Sequence, residues 1–484
     1  MNENAPMDNE PGSLIIEKRD PSLYNEDLAP IPAKDRSWGW FEIFNVWAND
    51  VQSLFGYTLA ASLFLTYGLS GWTVFAAILV AGFFVMWLVN LMGKPSVEYG
   101  IPFPVMARAS MGIRGANFPA VVRAIVAIFW YGAQTYFAST AVALLLNSLI
   151  GSTGVAAEFL GMSAVAWVSF LIVWAFQIWL FWNGIEWITK FLNFAGPFVY
   201  LVMIILAGVI WWKAGNGLFS EVGNIFKGMG SYEGSSFSAF SAIVGTMIAY
   251  FAAVVINYGD FSRFVKTQSD MKKGNLIGLP LNIAFFSLIA LIVTAGTLVI
   301  WGETLTNPTD IIERVDSLPL TILAALMFFA ATVGINLVAN FIPPAYDLAN
   351  LMPSKINFRM GGLITSGFAL IIGGLWVSTI SQIGIFNFVN TLGAILAPVY
   401  GIMIVDYYMI KNGKLDIQAL FSADPSGEYF YDNGWNKKAM LAFVLPGLFS
   451  VATVWVPALQ FLSGFAWVIG AALGGALYFV IMKK

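Results

Sequence analysis

An all-α membrane protein of about twelve transmembrane helices is the fold class this sequence predicts, and three observations predict it. Of 484 residues, 58% are apolar and only 11% charged, with a mean hydropathy of +0.76, whereas ordinary soluble domains carry about 25% charged residues. The 41 Phe and 18 Trp suit lipid-facing and interfacial positions. Apolar segments of about the 20 residues needed to cross a ~30 Å hydrocarbon core recur from residue 41 to residue 481.

Residues 1–38 are polar, with Pro and acidic residues scattered through them, and read as a mostly disordered cytoplasmic tail. Twelve spans follow, at roughly 41–67, 72–92, 117–147, 161–182, 192–212, 237–258, 276–301, 319–342, 362–381, 385–410, 438–456 and 460–481. An even number puts both termini on one side. With a cytoplasmic N-terminus only Lys213, Lys227 and Arg314 of the 24 basic residues lie outside, so the expected location is the cytoplasmic membrane with both termini inside.

Composition also excludes function classes. A net charge of −3 without a basic cluster argues against nucleic acid. With no Cys and no His there is no thiolate, imidazole ligand or imidazole proton shuttle, and carboxylates are left as proton carriers. The chain shows no metal-ligand cluster, Gly-rich phosphate loop or close pair of intramembrane carboxylates, so an enzyme is not expected, and no repeated filter-like segment speaks for a channel.

Span one carries Trp47-Ala48-Asn49-Asp50-Val51-Gln52-Ser53, a carboxylate and two amides inside an apolar run. An ionised carboxylate near the midplane costs at least about 2.5–3.5 kcal/mol, which makes Asp50 a functional candidate by default, against a structural Asp bonded across a helix interface. Span six has small residues at mid-depth, Gly245-Thr246-Met247-Ile248-Ala249-Tyr250-Phe251, and polar ones at its end, Asn257-Tyr258-Gly259-Asp260. Spans one and six are where a five-plus-five inverted repeat puts corresponding broken helices, although such Gly-containing sequence also occurs at plain helix contacts. In span three, Trp130 and Gln134 are four apart and share a helical face, which serves either a flat heterocycle or bundle packing. Span eight repeats the spacing with Asn336 and Asn340, whose paired donors and acceptors match the N–H and C=O edge of a lactam or ureide.

At these residues the sequence resembles the nucleobase:cation symporter-1 family, with its hydantoin, allantoin, uracil and cytosine transporters. The likeness runs from Asn25-Glu26-Asp27-Leu28 to the last helices. It is carried by Tyr99-Gly100-Ile101-Pro102-Phe103-Pro104-Val105, by Ala109-Ser110-Met111-Gly112-Ile113-Arg114-Gly115-Ala116-Asn117, by Trp130 with Gln134, by Pro344-Ala345-Tyr346-Asp347, and by Pro398-Val399-Tyr400-Gly401-Ile402-Met403 before Asp406-Tyr407-Tyr408. The branch it looks nearest to is that of the allantoin permeases.

The resemblance implies a LeuT-like fold of two inverted five-helix repeats, residues 39–212 and 213–410, plus helices eleven and twelve in 411–484, with helices one and six discontinuous. It implies alternating-access import of a small neutral planar heterocycle or ureide, with a cation as the only co-substrate and no further cofactor. Trp130 looks like the family's stacking Trp, Gln134 the amide one turn on, Asn336 and Asn340 the helix-eight pair, and Gln52 a helix-one amide facing the site. The helix-six aromatic, usually Trp, falls at Phe251 beside Tyr250, and Phe loses the indole N–H. Phe388 or Val389 at the start of span ten is the expected lid. Sodium-dependent relatives hold the ion with carbonyls that match Ala48, Val51 and Ala331 and with two helix-eight hydroxyls, where this chain has Gly334 and Ile335. Losing two oxygens weakens a hard-cation cage, so H⁺ is favoured over Na⁺, with Asp50 as the coupling group. Na⁺ symport, or another solute such as a vitamin or an amino acid on the same fold, is the alternative. Asp260, Asp347 and Asp406 end helices at the inner side near Arg263, Arg359 and Lys411 and read as orientation-setting ion pairs or inner-gate contacts rather than substrate ligands.

Overall fold

The computed structural model describes residues 16, 17, 19–150, 158–218 and 222–483. Among them there is no β-strand, only isolated bridges such as Trp38 with Val265. Among the described residues ten helices are long and apolar enough to cross a membrane. The split first span, Trp40–Val51 and Leu54–Thr66, and the shorter Phe358–Gly374 complete the expected twelve.

Local chemistry explains where the helices break. In span one, Gln52 leaves helical geometry and Ser53 restarts it, its Oγ accepting from the backbone N–H of Gly56 at 3.0 Å as an N-cap. Span six, Ser236–Ile256, runs unbroken through its small residues; its interruption lies at Asn257 and Tyr258, before the short turn Gly259–Ser262. The expected mid-depth break is therefore displaced to the end of the span. Span eight is helical over Leu318–Ile335, opens into a π-type turn at Asn336–Phe341, and resumes over Ile342–Leu351. Pro343 and Pro344 cause this: with no N–H they leave the carbonyls of Ala339 and Asn340 without intrahelical partners.

The N-terminal segment is a second departure. Residues 1–15 and 18 of the expected tail lie outside the described residues, but from there to residue 38 the chain is packed, with Leu23 and Leu28 buried. Its backbone carbonyls are bound by buried arginines: Arg108 Nη2 donates to Leu23 at 2.8 Å, and Arg263 donates to Asp27 at 3.0 Å and to Ala29 at 2.5 Å. Arg108 sits on the short helix Phe103–Met111, which packs under the bundle, and it also donates to Asn350 Oδ1 and Leu420 O.

The expected inner-end ion pairs do not form. Asp260 accepts from the Phe103 N–H at 2.8 Å, Asp406 from the Tyr478 hydroxyl at 2.7 Å, and neither oxygen of Asp347 has a hydrogen-bond partner. Arg263 is committed to backbone carbonyls, Arg359 lies over the Trp182 ring, and Lys411 pairs with Glu428 at 3.2 Å.

Candidate substrate site

Tyr250 is where spans one, three and six meet. Its hydroxyl lies 3.2 Å from Ser53 Oγ, 3.3 Å from the Asp50 carbonyl and 3.5 Å from Asp50 Oδ1, so it closes on the break in span one. Its ring stands edge-on to Trp130 at 5.7 Å between centroids and is parallel to Phe55 at 6.1 Å. Phe251 instead turns to Trp47, at 6.2 Å. The helix-six aromatic that faces Trp130 is thus Tyr250; a one-residue step on a helix rotates the side chain by about 100°, and counting back from Asp260 does not resolve that step.

Trp130 is enclosed by rings. Phe55 approaches its edge at 4.9 Å and Phe388 at 5.1 Å, and Trp376, from the turn after span nine, meets Phe388 at 5.2 Å and Phe55 at 6.4 Å. Of the two expected lid residues, Phe388 makes the ring contact; Val389 is buried without one. Beyond Trp376 lies Tyr136, at 6.2 Å, which lines a cavity of about 820 Å³ at the far end of span three. That cavity is edged by Glu158, Asp310, Glu313 and Asp316, with no Lys or Arg among the described residues of its wall. Ring contacts run from Trp130 through Phe388 and Trp376 to Tyr136 at its wall.

The amides divide into bound and free. Asn336 is held by structure: its Nδ2 faces the Tyr131 carbonyl at 3.1 Å, Thr135 Oγ1 at 3.0 Å and Gln177 Oε1 at 2.7 Å. Asn340 donates to Asn336 Oδ1 at 3.0 Å, so the pair is oriented in series. Gln134, 2% exposed and one turn from Trp130, has an Oε1 with no partner. Gln52 points elsewhere than at Trp130: its Nε2 donates to Asn282 Oδ1 at 3.1 Å, an oxygen that also accepts from the Tyr200 hydroxyl at 2.8 Å. A hydrogen-bond acceptor with no donor inside a buried site is costly unless a ligand or water supplies one. Gln134 Oε1 is such an acceptor beside Trp130 and suits a ligand that offers an N–H; Gln52 Oε1 and Asp50 Oδ2, at the break in span one, are unpartnered as well.

The site is braced below by Arg123 of span three. Its guanidinium donates to Asn257 Oδ1 at 2.7 Å, where span six breaks, and to the Ala339 carbonyl at 2.6 Å, the group released by Pro343. One buried arginine therefore joins both irregularities to the helix that carries Trp130. Phe55, Trp376, Gln177 and Arg123 were not among the sequence candidates. Gln177 had a signal, a lone amide in the aromatic run of span four, and Arg123 had one as a basic residue inside an apolar span.

The cation positions do not reproduce a hydroxyl-bearing cage. Ala48, Val51 and Ala331 are buried on the two facing spans, Gly334 and Ile335 offer no side-chain oxygen, and the nearby hydroxyl of Thr332 is engaged by the Leu54 N–H at 3.1 Å. The two helix-eight hydroxyls of the resemblance's sodium site thus have no counterpart at 334 and 335.

A family model described as permeases for cytosine/purines, uracil, thiamine and allantoin matches residues 30–480. The chain belongs to this permease family. The permease is 34% identical over 466 residues to the allantoin permease of Bacillus subtilis, covering 95% of this chain and 93% of that one. It is 31% identical to the purine-uracil permease of Arabidopsis thaliana, over 96% and 78% of the two chains. Among solved structures, Mhp1, a nucleobase-cation-symport-1 transporter in a closed conformation with bromovinylhydantoin bound, superposes with a TM-score of 0.77 at 23% identity, over 95% of both chains. Its inward-facing conformation gives 0.75 at 22% identity, over 97% of this chain and 96% of that one. The permease therefore has a LeuT-like fold and is a multi-pass membrane transporter, not an enzyme.

Proposed function

We propose that this permease imports an uncharged planar ureide or N-heterocycle, of the allantoin, hydantoin and uracil kind, by alternating access in symport with H⁺. The observation that carries the reading is Trp130, enclosed by Tyr250, Phe55 and Phe388, with the unpartnered Gln134 Oε1 one turn away. An aromatic enclosure favours a flat ring, and a buried acceptor selects an N–H donor. Gln134 and Asn340 read the ligand's edge, Asn336 orients Asn340, Trp130 and Tyr250 hold its faces, and Phe388 covers it. Relatives named as allantoin, purine-uracil and hydantoin permeases support the same ligand class.

For coupling, Asp50 is the group we assign to the proton. It is 4% exposed, its Oδ2 has no partner, and it adjoins the break in span one against which Tyr250 closes. Gln52, turned to Asn282 and Tyr200, shapes that break rather than touching the ligand. The two repeats, 39–212 and 213–410, rock about this site, with both termini on the cytoplasmic side of the cell membrane. Uptake of labelled allantoin, hydantoin and uracil into proteoliposomes tests the reading, with pH and Na⁺ gradients imposed separately. Saturable uptake of at least one of them, driven by inside-alkaline pH and indifferent to Na⁺, is expected; binding of none of the three in a fluorescence titration refutes the ligand class.

A further inference from the structure

Three amides of spans four and eight share one direction, and two backbone carbonyls set it. Gln177, on the span-four helix Ala164–Trp182, is fully buried. Its Nε2 donates to the Val173 carbonyl at 3.3 Å and to Thr135 Oγ1 at 3.1 Å. A carbonyl only accepts, and the Thr135 hydroxyl spends its proton on the Tyr131 carbonyl at 2.7 Å, so only the –NH₂ side of Gln177 satisfies both neighbours. Gln177 Oε1 is thereby turned to Asn336.

Asn336 is constrained in the same way. Its Nδ2 meets Gln177 Oε1 at 2.7 Å and the Tyr131 carbonyl at 3.1 Å, both acceptors, which turns its Oδ1 toward Asn340. That oxygen accepts from Asn340 Nδ2 at 3.0 Å. Turning any one amide over would set oxygen against oxygen or nitrogen against nitrogen at the next contact, so the series keeps a single polarity. Asn340 Oδ1, at its end, accepts no hydrogen bond among the described residues.

We propose that Gln177 and Asn336 are positioning residues that commit Asn340 to present its carbonyl oxygen to the ligand. The site then requires a second N–H besides the one met by Gln134 Oε1, and a ring acceptor in that place faces an oxygen that cannot turn away. The inference rests on the ligand class proposed above and names the edge that class must offer.

Three uncharged five-membered rings test it by fluorescence titration of the purified full-length protein in mildly acidic buffer. Hydantoin has an N–H between a carbonyl and the ring CH₂; succinimide has CH₂ there and oxazolidinedione has an oxygen. Wild type is expected to bind hydantoin more tightly than succinimide by roughly 5-fold or more, and oxazolidinedione more weakly still. Gln177→Leu with Asn336→Leu removes both partners of one contact, so no amide is orphaned, and frees Asn340 to turn; oxazolidinedione is then expected to bind at least as well as succinimide. Wild type that binds oxazolidinedione as tightly as succinimide, or succinimide as tightly as hydantoin, overturns the proposal alone. So does a double variant that keeps the wild-type order; if that variant does not fold, the wild-type order decides. Binding of none of the three overturns the ligand class, and this inference with it.

Discussion

Phe388 stands edge-on to Trp130, with ring centroids 5.1 Å apart and planes at 73°. The geometry makes Phe388, in the first turn of span ten, one wall of the ring enclosure around Trp130. Such a pair is worth about 0.5–1.5 kcal/mol beyond the area it buries. Phe388→Ala should weaken substrate binding by roughly 2- to 10-fold in a fluorescence titration, and Val389→Ala, which removes no ring, should leave it nearly unchanged.

Gln134 supplies the clearest acceptor. If a ligand N–H meets its Oε1, Gln134→Leu leaves that donor buried and unpaired, at a cost of about 1–3 kcal/mol, or roughly a 5- to 150-fold loss of affinity. Gln134→Leu should be far more damaging for a ring with two N–H groups than for its N-methylated analogue, as measured by competition for uptake.

Tyr250→Phe separates the ring from the hydroxyl. The contacts with Trp130 and Phe55 persist while those with Asp50 and Ser53 are lost. Binding affinity should change little, and maximal uptake should fall, because spans one and six lose a link of about 0.5–1.5 kcal/mol. Phe251→Ala should act differently, lowering the melting temperature through the lost packing on Trp47.

Asp50→Asn keeps the shape of the side chain and removes its titration. Counterflow of labelled substrate should survive, whereas accumulation driven by a pH gradient should disappear; unchanged acid-driven accumulation would sink the assignment of Asp50 as the coupling group.

Arg123→Gln leaves the Ala339 carbonyl and Asn257 Oδ1 short of a charged donor. Hydrogen bonds to charged groups are worth about 1.5–3 kcal/mol, so a clear fall in melting temperature is expected. Substrate affinity should fall with it, since the freed π-type turn also carries Asn340.

Much of the fold was legible because hydrocarbon imposes a length on every span and leaves polar residues few reasons to be there. The heptad in span one marked a real break for that reason. Residue types at the site were legible too, but their directions were not. Phe251 and Tyr250 differ by one step of a helix, and only packing against Trp47 and Trp130 says which ring faces inward. Gln52 was assigned by position alone, and Asn282 and Tyr200, distant in sequence, decide where its amide goes. The pairing of Asp260, Asp347 and Asp406 with nearby bases failed for a related reason: backbone carbonyls take Arg263, the Trp182 ring takes Arg359 and Glu428 takes Lys411, competitors that proximity in sequence does not show.

The bonds from Arg108 and Arg263 to the N-terminal segment end on the carbonyls of Leu23, Asp27 and Ala29, and every residue type carries a carbonyl. That attachment reads distance along the chain rather than spelling. Side-chain identity matters at Asn25, whose Nδ2 donates to the Pro353 and Ile356 carbonyls, and at Asp27, which accepts from the Phe358 N–H, whereas inserting or deleting one residue would pull all three backbone anchors out of phase together.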